Sequence, residues 1–245
     1  MSKNEIAVQE ELPAYLAKQD PEAGGRGSEG VSTDDLVIPR LELAQALSPC
    51  INKKKPEYIE GIEIGDLYNN ITRENYGPNV NVVPVLFKKE YLIWKDRDSG
   101  DGGFRGAYPD HDLAEMALAE LDESEQSLCE IVDTAQQFVM IIHDDGSFEE
   151  AVFSMAKSKM KVSKNWNSLI RLNGRDRFSR VYAIASFEDK GNSGEFQNVA
   201  VTNAGFPSEA VYTAAEEVYE SIASGKKDID RSVDEAADKP LRDDI

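Results

Sequence analysis

The chain is poor in the residues on which most enzymes and secreted scaffolds depend. Its 245 residues include two cysteines, Cys50 and Cys129, and two histidines, His111 and His143. Two isolated thiols cannot build a disulfide framework or a zinc centre, and they fit a reducing compartment. Phosphate-loop glycines, a nucleophile elbow and zinc-ligand spacing are all missing. The acid pairs Asp144/Asp145 and Glu149/Glu150 read as hairpin-tip charge rather than as a magnesium site. No apolar run approaches the ~20 residues of a membrane span, and the opening MSKNEIAVQEELP lacks a signal-peptide core. Positive charge is scarce too: 27 lysines and arginines stand against 46 aspartates and glutamates, a net charge of −19. A field of that sign repels nucleic acid and anionic lipid, so any anion binding must come from a local patch. The expectation is a cytoplasmic, non-enzymatic protein with no cofactor, no metal and no membrane contact.

Such a patch exists. The segment KSKMKVSKNWNSLIRLNGRDRFSR, residues 157–180, carries Lys157, Lys159, Lys161, Lys164, Arg171, Arg175, Arg177 and Arg180 against Asp176 alone. Val162, Trp166, Leu169 and Ile170 fall at i, i+4, i+7 and i+8, which predicts a helix with an apolar stripe. Lys161, Lys164, Ser168 and Arg171 then lie on the opposite face, and Asn173-Gly174 ends the helix. Trp166 belongs to the core on this reading.

Along the chain, residues 1–35 hold eight acids, three bases and the run GGRGSEG. That composition cannot bury enough apolar surface to order itself, so a disordered acidic arm is expected. Order begins at Leu36, and Leu67 to Ile71 reads as a strand followed by turn residues Asn75-Tyr76-Gly77-Pro78. Val80 to Lys95 reads as one long strand, apolar on both faces, with a bulge at Pro84 or at Lys88-Lys89-Glu90. Asp96 to Gly106 reads as a glycine-rich loop. Asp110 to Asp133 holds nine acids and no lysine or arginine, and Leu113, Met116, Ala117 and Leu121 within it predict an amphipathic helix. Residues 107–134 are thus an acidic insertion. Gln137–His143 and Phe148–Ser154 predict a hairpin, as do Phe178–Asp189 and Glu195–Asn203. Ser208 caps a helix reaching Ser224, with Val211, Ala215, Val218, Tyr219 and Ile222 inward. Residues 225–245 form a second disordered acidic tail.

Strand, strand, strand, helix, strand, strand from Val80 onward is the order of the five-stranded oligonucleotide/oligosaccharide-binding (OB) barrel. The expected class is therefore mainly β with helices (α+β). It consists of an OB-like barrel spanning residues 36–224, with an added N-terminal strand, the acidic insertion and two disordered termini.

A single-strand binder needs cations that follow phosphates and rings that stack on bases. Lys88, Lys89, Tyr91, Trp94, Lys95 and Arg97 lie at the end of the long strand, and Arg177, Arg180 and Tyr182 open the fourth barrel strand. With the helix cations, these are the candidate DNA-binding residues. Tyr91, Trp94 and Tyr182 can serve either stacking or core packing.

The segments GDLYNNITRENYG, VPVLFKKEYLIWKDR and RFSRVYAIASFEDKGNSGEFQNVAVTNAGF resemble phage-encoded OB-fold single-stranded-DNA-binding proteins. The end Leu241-Arg242-Asp243-Asp244-Ile245 is similar to the acidic, apolar-tipped tails of such proteins. The resemblance implies a single-stranded-DNA partner and replication or recombination proteins recruited through Asp243, Asp244 and Ile245. A homo-oligomer is compatible with it. A different reading keeps the acidic insertion as the active surface of a DNA mimic, inhibitor or scaffold, with the basic segment paired to it internally.

Overall fold

The computed structural model describes residues 38–96, 99–100, 102–191, 194–225 and 229, all within the unit Val37–Ile245. The expected disordered arm, nearly all of the tail, Arg97, Asp243, Asp244 and Ile245 lie outside the described residues. The fold is mainly β with helices, as the sequence predicts.

The organising element is β4, Asn79–Lys95, a strand of 17 residues. Along most of its length it pairs with β6, Cys129–Ile142, from Asn81↔Ile142 to Lys95↔Cys129. Its first residues also pair with β8, Val181–Gly191, and its last with β5, Gly103–Tyr108. The register with β6 shifts between Pro84 and Leu86, which leaves Val85 as the extra residue of a bulge. Side-chain alternation changes hands there. Val82 lies opposite Ile141 before the bulge, and Leu86 lies opposite Phe138 after it. Val80 and Val82 pack with Trp166 and Tyr182, whereas Val83 and Val85 pack with Phe138 and Phe178. One strand thus feeds two apolar clusters, which is why both of its faces read as apolar. The bulge sits at Pro84-Val85 and not at Lys88-Lys89-Glu90.

The remaining strands complete an antiparallel sheet in the order β7-β6-β4-β8-β9, with β7 at Phe148–Ala156 and β9 at Gly194–Gly205. Helix α3, Lys159–Leu172, connects β7 to β8. That is the strand order of an OB barrel cut open between its third and fifth strands. The cut is real: among the described residues β7 and β9 do not pair, so the expected closed barrel does not form by strand pairing. The N-terminal segment lies across the two edges instead. At β7, Val152 N–H donates to the Pro39 carbonyl (2.8 Å), and Arg40 forms a parallel bridge with Val152. At β9, the Gln45 side-chain amide donates to the Gln197 carbonyl (2.8 Å) and accepts from the Gln197 N–H (2.9 Å). A side-chain amide carries the same donor and acceptor as a peptide unit, so Gln45 serves the β9 edge as a neighbouring strand would. Trp166 and Ile170 of α3 fill the space behind.

The single added strand expected at the N-terminus is in fact a small sheet. It comprises β1 (Leu41–Leu43), β2 (Leu67–Asn69) and β3 (Asn75–Gly77). Each has three residues, too short for alternation to register. On the other side of the main sheet, α4, Glu209–Ala223, buries Val211, Ala215 and Ile222 against Val83, Phe138 and Met140. Ser208 caps it by accepting from the Val211 N–H, as expected, whereas Tyr219 is exposed.

The acidic insertion is shorter than the sequence suggests. Part of the glycine-rich loop is β5. The helical part is α1, His111–Ala119, and the single turn α2, Glu123–Gln126. Ala114 is the buried residue of α1, while Leu113 and Met116 face solvent. From Cys129 onward the chain is already β6. Glu130 and Asp133 are exposed there, with Val132 and Thr134 buried between and beside them.

Candidate nucleic-acid interface

Helix α3 begins after a sharp reversal at Lys157, whose backbone occupies the left-handed region (φ 49°). Ser163, Trp166 and Ile170 are buried on its inner face, and the Trp166 ring meets Tyr182 edge-on at 5.8 Å between centroids. Burying that stripe fixes the rotation of the helix. Lys161, Lys164 and Arg171 consequently point outward, and Arg175 follows in the exposed turn beyond Asn173-Gly174. Lys164, Arg171 and Arg175 make no ion pair with any described residue, and Lys161 stands close enough to Asp189 to help lower that carboxyl.

The cations of β4 stand in a different environment. Lys89 Nζ lies 3.0 Å from Asp133 and donates to the Tyr91 hydroxyl (2.7 Å). Those two contacts, Tyr91 first, hold its ammonium above the usual lysine range. Lys95, 9% exposed, lies 3.5 Å from Glu125, which also accepts from Arg105 Nε at 3.1 Å. Lys157 Nζ is 2.7 Å from Glu130. Lys88 sits 5.5 Å from the centre of the Phe138 ring. The acids expected to form an independent insertion therefore neutralise the end of β4 and the start of the basic segment, and leave the outer face of α3 unpaired.

The candidate rings separate as well. Tyr182 is 1% exposed, accepts from Asn173 Nδ2 (2.9 Å) and belongs to the core, so it cannot stack on a base. Trp94 is half-buried against Phe104, and Tyr91 meets His111 edge-on at 5.3 Å. Trp94 borders a groove of about 790 Å³ on the β4–β6–β7 face, with Val132, Thr134, Gln136 and Lys157 among its walls. Its floor is already hydrogen-bonded: Gln136 donates to Glu90 (3.0 Å) and accepts from Ser154 Oγ (2.6 Å).

Arg177 and Lys159 are not surface cations. Arg177 donates to Gln137 and to Asn167 Oδ1 (2.9 Å), and Gln137 in turn donates to Ser163 (2.9 Å). Burial without a carboxylate pushes the Arg177 guanidinium down to about 10. Burial likewise lowers the Lys159 ammonium, against the opposing pull of Glu42. Arg177 belongs to the joint between α3 and the sheet, and Lys159 opens α3.

Two rings absent from the sequence-derived set stand out. Phe206 is 68% exposed, and the Arg180 guanidinium lies 4.6 Å from its ring centre. Phe87 is partly exposed with Arg177 5.7 Å from its centre. Phe206 had a signal in the sequence: Gly205-Phe206-Pro207 puts a large ring in turn chemistry, outside any apolar stripe. Nearby, Arg177 Nε, Ser179 Oγ and Arg180 Nε are buried with no hydrogen-bond partner in the protein.

A family model described as the Pam3 phage gp34-like protein matches residues 4–228. The chain belongs to that family. The Pam3 phage gp34-like family places it among bacteriophage proteins and covers every described element. No curated protein and no solved structure matches the chain. No described helix of this family member is long and apolar enough to cross a membrane.

Proposed function

We propose that this phage protein binds single-stranded DNA without catalysing a reaction, and does so along the outer face of α3. The observation that carries the reading is the sorting of cations. In a chain of charge −19, carboxylates accompany Lys89, Lys95 and Lys157, while Lys164, Arg171 and Arg175 point outward unpaired and Lys161 points outward within reach of Asp189. Exposed cations with no acid to hold them repel one another, so a polyanion lowers their energy and releases its own counterions. Arg180 and Phe206 add a guanidinium beside an open ring, the two groups that take a phosphate and a base. Replication or recombination proteins recruited through Asp243, Asp244 and Ile245 complete the reading, with the host cytoplasm as its place of action.

The test is fluorescence polarisation of labelled oligo-dT of ~30 nucleotides at low and moderate salt. It compares the natural chain with Lys161→Glu/Lys164→Glu/Arg171→Glu/Arg175→Glu. Salt-sensitive binding that the fourfold variant loses, with its circular dichroism unchanged, supports the reading. No binding by the natural chain at low salt overturns it, and the acidic face of α1 and α2 then becomes the candidate surface.

A further inference from the structure

Three side chains from separate segments converge where the small N-terminal sheet meets the β6–β7 hairpin. Glu74 precedes β3, His143 follows β6, and Glu149 lies on β7. One ligand atom from each lies within 4.8 Å of the other two. His143 Nδ1 is 3.6 Å from Glu74 Oε1, and His143 Nε2 is 3.6 Å from Glu149 Oε1.

A neutral imidazole carries one N–H. It can donate to only one of the two carboxylates, so at the other contact a nitrogen lone pair faces a carboxylate lone pair. A metal ion at one of the two contacts removes that opposition. Both separations exceed the ~2.7–3.2 Å of a hydrogen bond. Of the two, the Nε2–Glu149 separation is close to the ~3.4 Å between two ligands held tetrahedrally by bonds of ~2.1 Å, while Glu74 faces the opposite ring nitrogen. Glu149 is also oriented by neighbours. Asn69 Nδ2 donates to its Oε2 (3.2 Å), and the Tyr76 hydroxyl donates to its Oε1. Supporting hydrogen bonds of this kind fix a carboxylate ligand and are a usual part of metal sites.

We propose that Glu74, His143 and Glu149 form a site for one divalent transition-metal ion. Zinc fits best, because it accepts mixed imidazole and carboxylate ligands and tolerates a fourth position filled by water. One imidazole nitrogen coordinates, and Glu74, half exposed, swings to complete the set. The ion clamps the β2–β3 turn to the β6–β7 hairpin, so its effect is on the stability of the N-terminal sheet. This inference is independent of DNA binding.

The experiment is isothermal titration of zinc into the chelator-treated full-length protein, paired with thermal unfolding at pH 7.5. The expected result is one zinc per chain and a Tm higher by about 5 °C or more at saturating metal. Glu74→Gln, an exposed change that leaves the core intact, and His143→Gln should each weaken binding at least tenfold. Tyr76→Phe should weaken it severalfold. A second group, His111, Asp112 and Glu115 on α1, is exposed and serves as the control. Zinc binding that survives Glu74→Gln and His143→Gln but disappears in His111→Gln overturns the assignment. So does the absence of any zinc effect on Tm.

Discussion

Lys95 Nζ, almost removed from solvent, lies 3.5 Å from Oε1 of Glu125, so the last cation of the longest strand is held by the short helical turn α2. Lys89 with Asp133 and Lys157 with Glu130 repeat the relationship on neighbouring strands. If these acids withhold cations from a polyanion, Glu125→Gln/Glu130→Gln/Asp133→Asn should tighten oligo-dT binding by roughly three- to tenfold at low salt, with the gain fading as salt screens it. The cost is local. Lys95 loses its contact with Glu125, but Glu125 is 30% exposed and screened, so the expected destabilisation is about 1–2 kcal/mol rather than that of a sealed ion pair. Polarisation titrations and urea unfolding of the same protein measure both effects.

Arg171 and Arg175 are exposed, and their side chains support nothing else in the described structure. Each should therefore act as one phosphate contact. Arg171→Ala and Arg175→Ala are expected to lower the slope of log K against log salt by about 0.7 apiece on single-stranded DNA. Neither should change Tm. An unchanged slope would remove that residue from the interface.

Phe206 and Trp166 make opposite predictions from the same residue class. Phe206 stands open beside Arg180, so Phe206→Ala should cost about 1–3 kcal/mol of binding and little stability. Trp166 is sealed between α3 and Tyr182, so Trp166→Ala should cost about 3–5 kcal/mol of stability. Tyr182→Phe should leave affinity unchanged and remove only the hydrogen bond from Asn173, about 1 kcal/mol. Urea unfolding and DNA titration on the three variants separate the two roles.

These contrasts show what was legible in the sequence. The apolar stripe of α3 without the exposed Leu169, the length of β4 and both hairpins, the second beginning at Val181 after a 3-10 turn at Arg177–Ser179, are local patterns that the structure keeps. The bulge at Pro84-Val85 was legible because proline in a strand leaves few alternatives. What was hidden depends on partners distant in sequence. Glu130 and Asp133 looked like members of an acidic insertion because a strand edge that pairs with lysines has the same composition as a solvated helix. Gln45 gave no hint that it would serve the edge of β9, 152 positions away, through its side chain. Tyr182 and Phe206 carry the same kind of ring, and only the arrival of α3 over one of them decides which is buried.

Alkaline unfolding offers a last test, because buried groups of opposite sign titrate in one range. Burial, with Glu42 and Cys50 nearby, raises the Tyr68 hydroxyl well above the tyrosine range, and burial raises that of Tyr182. Above pH ~10 the unfolded chain releases these protons while the folded chain keeps them, so each tyrosine lowers stability as pH rises. Arg177, pushed down to about 10, works the other way: it loses its proton first in the folded state and adds stability from there upward. The raised hydroxyls of Tyr68, Tyr76 and Tyr182 outnumber the lowered Lys159 and Arg177, so stability falls on balance above pH ~10. Urea midpoints at pH 8, 9.5 and 10.5 should therefore decline in the natural chain. They should decline less in Tyr68→Phe, which removes one of the opposing protons. Equal slopes in the two proteins would mean that Tyr68 ionises as freely folded as unfolded, and that the floor of the small sheet is open to water.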